Sequence, residues 1–228
     1  MYIVIAGGGI AGSTVARELL DHKHDVLIID HDRQVCEELY AHSGIVTIQG
    51  DVRNMETLRE ARIEKADVAL AALYHDADNL TFALLAHSCG VSRIIVKMRD
   101  PAYAEAFQMA GATSICDMNS MFRHKVIIEL ESPKIKVITS IEHDRAQLIM
   151  FELPMHWPHG GITIQELARQ KAFLKHCVFA GLIDRDDDRM VVPRGNDRLY
   201  PGNKVFMVAH ARQIRAIERY LENFDEES

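Results

Sequence analysis

The run Tyr2–Ala6 leads straight into Gly7-Gly8-Gly9-Ile10-Ala11-Gly12, and this junction leaves few folds open to the chain. A short run with no polar alternation reads as a strand buried on both faces. The residues after it carry Val15, Leu19 and Leu20 at helical spacing. Gly7 then makes the tight turn, Gly9 lets backbone N–H groups approach a pyrophosphate, and Gly12 lets helix and sheet pack closely. The next strand, Val26-Leu27-Ile28-Ile29, ends at Asp30, eighteen residues past Gly12. An acid there accepts hydrogen bonds from an adenosine ribose diol and disfavours a 2′-phosphate. Taken alone, the glycines could be an empty turn and Asp30 a helix N-cap. Strand, glycines, helix and acid in this order point to an adenine dinucleotide or nucleotide.

The same alternation continues. Apolar runs at 2–6, 25–29, 45–48, 67–71, 94–97 and 114–116 read as six strands separated by five helices. That is a doubly wound parallel sheet of the Rossmann-like α/β class, with helices on both faces. Asp100-Pro101 reads as an N-cap with proline at the first helical position, and Gly111 stops the helix that carries Tyr103, Phe107 and Ala110. A helix over 119–131 carries Met121, Phe122, Val126, Ile127, Ile128 and Leu130, more apolar surface than one face can hide. It is expected to pack against a second body.

After Pro133 the pattern changes to strands at 136–140, 147–153, 177–183, 190–192 and 205–209, with a helix near 164–170 and another from Ala211. The expected organisation is a nucleotide-binding lobe over 1–132 and a small α+β C-lobe over 133–228. The last helix shows Ile214, Ile217 and Leu221 on one face before an acidic end at 225–228.

Charge narrows the function. The net charge is −7, with 12 basic against 19 acidic residues over 1–132 and 14 of each over 133–228, so neither part has the basic excess that nucleic acid requires. No apolar run approaches the roughly eighteen residues of a membrane helix, and no secretory leader opens the chain. A cytoplasmic location is expected. The four cysteines never form Cys-x-x-Cys and read as free thiols. Among the twelve histidines, His156 and His159 cluster without carboxylate or thiol companions, which gives a poor metal site.

Other candidate ligand contacts lie at strand ends: Gly50-Asp51 after the third strand, Ala72-Leu73-Tyr74 after the fourth, and Arg99 after the fifth. Asp76 and Asn79 read as caps of a helix over 80–86. No general acid or nucleophile stands out. Tyr200-Pro201-Gly202-Asn203-Lys204 has the Tyr-x-x-x-Lys spacing of short-chain dehydrogenases, but Pro201-Gly202 breaks the helix that such a pair needs. A non-enzymatic role is therefore expected; an NAD-dependent oxidoreductase is the alternative, and a free-standing nucleotide-sensing adaptor a third reading.

These motifs resemble those of the RCK domains (regulators of potassium conductance), in particular the Trk/Ktr-type peripheral subunits of bacterial potassium uptake. The resemblance rests on the glycine run 7–12, Ile29-Asp30-His31-Asp32, Gly50-Asp51-Val52, Asp76-Ala77-Asp78-Asn79-Leu80, Arg99-Asp100-Pro101 and Gly111-Ala112. Further on it includes Ile164-Gln165-Glu166-Leu167, Pro193-Arg194-Gly195-Asn196-Asp197 and the 199–205 segment. It implies a cytoplasmic regulatory subunit, peripheral to the inner membrane, that binds NAD(H) or ATP/ADP and pairs through the 119–131 helix. The dimers would form a ring on a membrane potassium-translocating subunit. Ile10 stands where ATP-binding relatives often have arginine, which favours NAD(H), and Asn119 stands where they often have glutamate at a cation site. The candidate cofactor contacts are Gly7, Gly8, Gly9, Ile10, Ala11, Gly12, Asp30, His31, Gly50, Asp51, Val52, Ala72, Leu73, Tyr74 and Arg99.

Overall fold

The computed structural model describes residues 1–131, 133–141, 145–173, 177–184 and 189–224, without the side chains of Ile128 and Glu131. The expected exposure of Ile128 and the acidic end 225–228 thus lie outside the described residues. The chain divides into two compact units, Met1–Phe122 and Arg123–Ser228.

The first unit alternates strands and helices throughout: β1 (Tyr2–Ala6), α1 (Ile10–Asp21), β2 (Asp25–Asp30), α2 (Arg33–Ser43), β3 (Val46–Gln49), α3 (Met55–Glu60), β4 (Val68–Ala71), α4 (Asp76–Ser88), β5 (Ile94–Met98), α5 (Ala104–Met109) and β6 (Ser114–Asp117). The six strands form one parallel sheet in the order β3-β2-β1-β4-β5-β6. Chain order reverses between β1 and β4, and the crevice at that switch point is where such sheets hold ligands.

Period-two side-chain direction splits each strand between two cores. Val4, Ala6, Leu27, Ile29, Ala69 and Ala71 meet Phe82, Ala83 and Phe107 on one face. Ile3, Ile5, Val26 and Ile28 meet Ala16 and Leu39 on the other. Each fully buried Ile or Phe side chain contributes about 2 kcal/mol relative to exposure, so the continuous apolar runs specify a sheet covered on both sides.

Several sequence expectations need local correction. Helix α4 begins at Asp76, not near Leu80, and His75 takes the N-cap position. Asp76 accepts from the Arg99 and Asp100 N–H groups at 3.1 and 2.7 Å. Asn79 accepts from Leu73 N–H at 2.9 Å and donates to the Lys97 carbonyl at 3.0 Å. Both side chains are buried and serve the backbone of neighbouring strand ends, which would otherwise be left unpaired. Asp100 does cap, accepting from Ala102 N–H at 2.9 Å, but the helix opens with a 3₁₀ turn before α5.

Helix α6 (Met118–Glu131) runs across the division between the units. Met121, Phe122, Ile127 and Leu130 are exposed, Phe122 at 71% and Leu130 at 76%.

The second unit is built from β7 (Ile135–Ile141), β8 (Ala146–Glu152), β9 (Ile162–Thr163), α7 (Ile164–Ala168), β10 (Cys177–Ile183), β11 (Met190–Val191), β12 (Arg198–Leu199), β13 (Lys204–His210) and α8 (Ile214–Glu222). Five strands pair antiparallel in the order β11-β10-β13-β8-β7, and β9 pairs with β12 as a separate ribbon. Thr163 and Glu166 close a capping box at the start of α7. Ile214, Ile217 and Leu221 of α8 are buried against the sheet residues Ile149, Phe151 and Met207.

Trp157 is fully buried beside Phe224, and its indole N–H donates to the Leu199 carbonyl at 2.9 Å. The His156-to-His159 segment therefore anchors a core aromatic. Tyr200 to Asn203 is a turn into β13, with Gly202 at φ +76° and the Asn203 side chain accepting from Tyr200 N–H. The four cysteines are free, and no described helix is long and apolar enough to cross a membrane.

Candidate nucleotide-binding site

The turn after β1 assigns each glycine a different task. Gly7 has φ +99°, a region that L side chains rarely adopt, and its N–H donates to the Ile29 carbonyl at 2.8 Å. Gly8 is packed beneath α2, where a Cβ would come within 2.8 Å of both Val35 and Leu39. Its N–H donates to Asp30 Oδ2 at 2.6 Å. A Cβ on Gly12 would lie 1.9 Å from the Gly7 carbonyl oxygen, so this glycine sets the contact between helix and loop.

Gly9 is different. It is the N-cap residue of α1 at φ −63°, and a Cβ there would meet no protein atom within 4 Å. Neither strain nor packing demands glycine at this position; a ligand that needs the space would. The first turn of α1 has no side-chain cap and no acidic residue. Its N–H groups lack intrahelical partners, and the helix dipole adds positive potential, which together suit an anion.

Asp30 is buried at the end of β2. Besides Gly8 N–H on Oδ2, it accepts from Asp32 N–H at 2.9 Å on Oδ1, where His31 Nδ1 also approaches to 3.1 Å. The carboxylate thus ties the glycine turn to the start of α2. Its N-cap role goes to Asp32, which accepts from Gln34 N–H at 2.8 Å.

Two clefts meet over these residues. One, of about 920 Å³, is lined by Gly7, Gly9, Ile10, Ala11, Asp30, His31, Ala72, Leu73, Tyr74 and Arg99 of the expected contacts. Thr14, Val15, Leu70, Lys97, Cys116 and Met118 complete its walls. The other, of about 490 Å³, adds Gly50, Asp51 and Val52 on the β2–β3 side, together with Arg53, His75 and Asp78. Asp30, His31, Leu73 and Tyr74 border both. Every expected contact except Gly8 and Gly12 faces one of the clefts, and those two shape the loop from behind.

The electrostatics are graded along the crevice. On the β2–β3 side Arg53 grips Asp51 through both carboxylate oxygens, at 2.9 and 2.8 Å, and reaches Asp78 at 3.1 Å. Those hydrogen bonds hold the Asp51 carboxyl down at about 2. The helix cap that Asp51 could have supplied comes from Asn54, which accepts from Glu56 N–H. Across the switch point, the Arg99 guanidinium lies 4.2 Å from the centre of the Tyr74 ring. Its hydrogen bond and charge lower the Tyr74 pKa. Asn119 donates to the Arg99 carbonyl at 2.7 Å.

Sequence reasoning missed Lys97, whose Nζ donates to the Ala72 carbonyl at 3.1 Å inside the larger cleft. Burial, and then the charge of Arg99, push its pKa down. A lysine inside the apolar run Ile94-Ile95-Val96-Lys97-Met98 was the available signal.

Residues 3–117 match the TrkA-N domain family. The Trk system potassium uptake protein TrkA homolog of Methanothermobacter thermautotrophicus is 29% identical over 153 residues, covering 67% of this chain and 71% of that protein. The Pyrococcus abyssi homolog is 24% identical over the full length of both. Against other curated relatives, such as that of Archaeoglobus fulgidus, the chain spans about half their length, 49% in that case. Among solved structures, the GsuK channel superposes with a TM-score of 0.66 at 20% identity over 96% of this chain and 39% of that one. The same channel solved with NAD gives 0.63. At that identity the likeness establishes the fold, an RCK-type Rossmann lobe with an antiparallel C-terminal lobe. The motif resemblance holds, and the chain belongs to the TrkA-N domain family.

Proposed function

We propose that this protein is a nucleotide-binding regulatory subunit of a potassium uptake system, gating a membrane potassium-translocating subunit in response to NAD(H) or ATP/ADP. The observation that carries this reading is Gly9: an unstrained glycine whose absent side chain leaves room directly before the uncapped first turn of α1. With phosphates on that turn, Asp30 stands at the adenosine ribose, and Gly50 to Val52 flank the base. The second nucleoside of a dinucleotide extends toward Ala72, Lys97 and Arg99. The residues fit an adenine nucleotide, and Ile10, 90% exposed at the cleft, stands where the resemblance to ATP-binding relatives implies an arginine. NAD(H) is therefore favoured over ATP.

Names of the relatives support the setting: Trk potassium uptake proteins, and the GsuK channel, solved with NAD and with ADP. Regulation needs no covalent chemistry. It needs two ligands, or ligand and none, to favour different conformations by a real free-energy difference. In this reading residues 1–132 form the nucleotide lobe, which keeps α6 whole, and 133–228 form the regulatory C-lobe. The exposed apolar side chains of α6 pair two copies, and dimers assemble into a ring on the cytoplasmic face of the membrane subunit.

Calorimetric titration of the purified chain with NADH, NAD⁺, ADP and ATP tests the ligand reading. Binding of at least one at micromolar to submillimolar concentration is expected. A folded protein that binds none of the four refutes it. Nucleotide-dependent potassium flux with the membrane subunit tests the gating.

A further inference from the structure

Arg53 lines the smaller cleft, and the nucleotide reading leaves it without a task. It follows β3 in the turn Gly50-Asp51-Val52-Arg53, and both its backbone and its side chain return to Asp51. Its backbone N–H donates to Asp51 Oδ1 at 2.9 Å, Nε donates to the same oxygen at 2.9 Å, and Nη2 donates to Oδ2 at 2.8 Å. From the other wall, Asp78 of α4 accepts from Nη1 at 3.1 Å. The guanidinium is thus held from both sides of the cleft, with its edge half-exposed. Of its five N–H donors, one on Nη1 and one on Nη2 have no partner among the described residues.

The inference rests on the proposed nucleotide site, which puts the base against Gly50 to Val52. A carboxylate with both oxygens open accepts from two neighbouring donors, and guanine offers two, N1–H and the 2-amino group. Asp51 is not open in this way, because the Arg53 fork occupies both of its oxygens. What the pair presents instead is an acceptor, Oδ2, beside a donor, Nη2–H, with 2.8 Å between the two atoms. Adenine carries the complement, the N6 amino donor next to a ring-nitrogen acceptor, whereas guanine has the O6 acceptor in place of that amino group. We propose that Arg53 is a specificity-determining residue: by occupying the Asp51 carboxylate it turns a group suited to guanine into an edge that selects adenine. With its pKa held at about 2, the Asp51 carboxyl keeps its acceptor role at neutral pH. The expected preference is about thirtyfold for adenine over guanine, the order that one paired base contact supplies.

The test is calorimetric titration of the full chain with two base-swapped pairs, ADP against GDP and NADH against reduced nicotinamide guanine dinucleotide. The proteins are wild type, Arg53→Met and the double variant Arg53→Met with Asp51→Asn. Wild type should bind the adenine member of each pair about thirtyfold more tightly. Arg53→Met frees the Asp51 carboxylate, so the guanine ligands should tighten while the adenine ligands weaken, and the preference should fall below about threefold. Removing the carboxylate in the double variant should abolish the gain for guanine. An ion pair that only braces the turn would, when lost, weaken both bases together. Arg53→Ala carries the same test if the methionine variant does not fold. Equal affinity for the two bases in wild type, a preference that survives in Arg53→Met, equal weakening of both bases, or a guanine gain that persists in the double variant overturns the proposal while the nucleotide site stands. A wild type that binds none of the four ligands overturns both.

Discussion

Alanine at Gly9 and alanine at Gly12 should separate ligand binding from folding, although both glycines belong to one six-residue motif. At Gly12 the new Cβ would sit 1.9 Å from the Gly7 carbonyl oxygen and 3.4 Å from Ile5 Cγ2, so α1 must move away from β1 by more than an ångström. Overpacking of this kind costs about 1–3 kcal/mol or more. In a chain of this size that lowers Tm by several degrees, at about 2–4 °C per kcal/mol. At Gly9 the Cβ enters open space at φ −63°, and exchanging glycine for alanine at an N-cap costs only about 0.5 kcal/mol. The same methyl group stands where phosphate oxygens must approach the N–H groups of the first turn. Losing two hydrogen bonds to a charged group, at about 1.5–3 kcal/mol each, weakens binding by roughly a hundredfold or more. Differential scanning calorimetry without ligand, paired with NADH titration, reads both effects. Gly9→Ala should melt within about 2 °C of wild type and bind at least roughly a hundredfold more weakly, whereas Gly12→Ala should melt several degrees lower. Unchanged affinity in Gly9→Ala, or an unchanged Tm in Gly12→Ala, refutes the assignment of roles.

Further expectations concern the edges of the site and assembly. Asp30 should make NADPH bind roughly tenfold or more weakly than NADH, because its carboxylate meets the 2′-phosphate, and calorimetry with both cofactors decides it; tighter NADPH binding would hand that edge to a cation such as Arg33. Asp51, held at about 2 by Arg53, has its folded pKa below the unfolded value, so the pair contributes stability above about pH 4 that fades as pH falls toward about 2. Solvent exposure of both partners keeps this contribution small. Carboxyl NMR titration should show the Asp51 value rising toward the ordinary carboxylate range in Arg53→Gln, and no movement would mean the ion pair is not what lowers it. If two copies pair through α6, Phe122→Asp places two charges in one two-fold contact. Sedimentation velocity should then give a dimer for wild type and a monomer for the variant with its NADH affinity kept; a monomeric wild type removes α6 from that role.

The glycine turn and the cleft above it were legible where local sequence determines them. Gly7, Gly9 and Gly12 act through backbone geometry and Asp30 through a carboxylate that binds the same turn, all within one strand–turn–helix–strand unit, so their spacing alone carries the message. The parallel sheet was equally readable, because strands buried on both faces cannot hide their apolar runs. What escaped depends on contacts distant in the chain. Asp76 and Asn79 look like caps in sequence, yet their partners include backbone groups of strand ends eighteen and twenty-three residues further along the chain. Lys97 looks like the solvated end of a strand until the register sets it beside Ala72 and Cys116. The β9–β12 ribbon pairs only two residues on each strand, too few to show any periodicity.

The account turns on where the ligand sits, and a crystal structure of the full chain grown with NADH measures that directly. The pyrophosphate should lie against the N–H groups at the start of α1 beside Gly9, with the ribose on Asp30, the adenine toward Gly50 and Val52, and the nicotinamide end beside Lys97. NADH bound elsewhere on the protein, or an empty cleft in crystals saturated with it, would contradict the central claim.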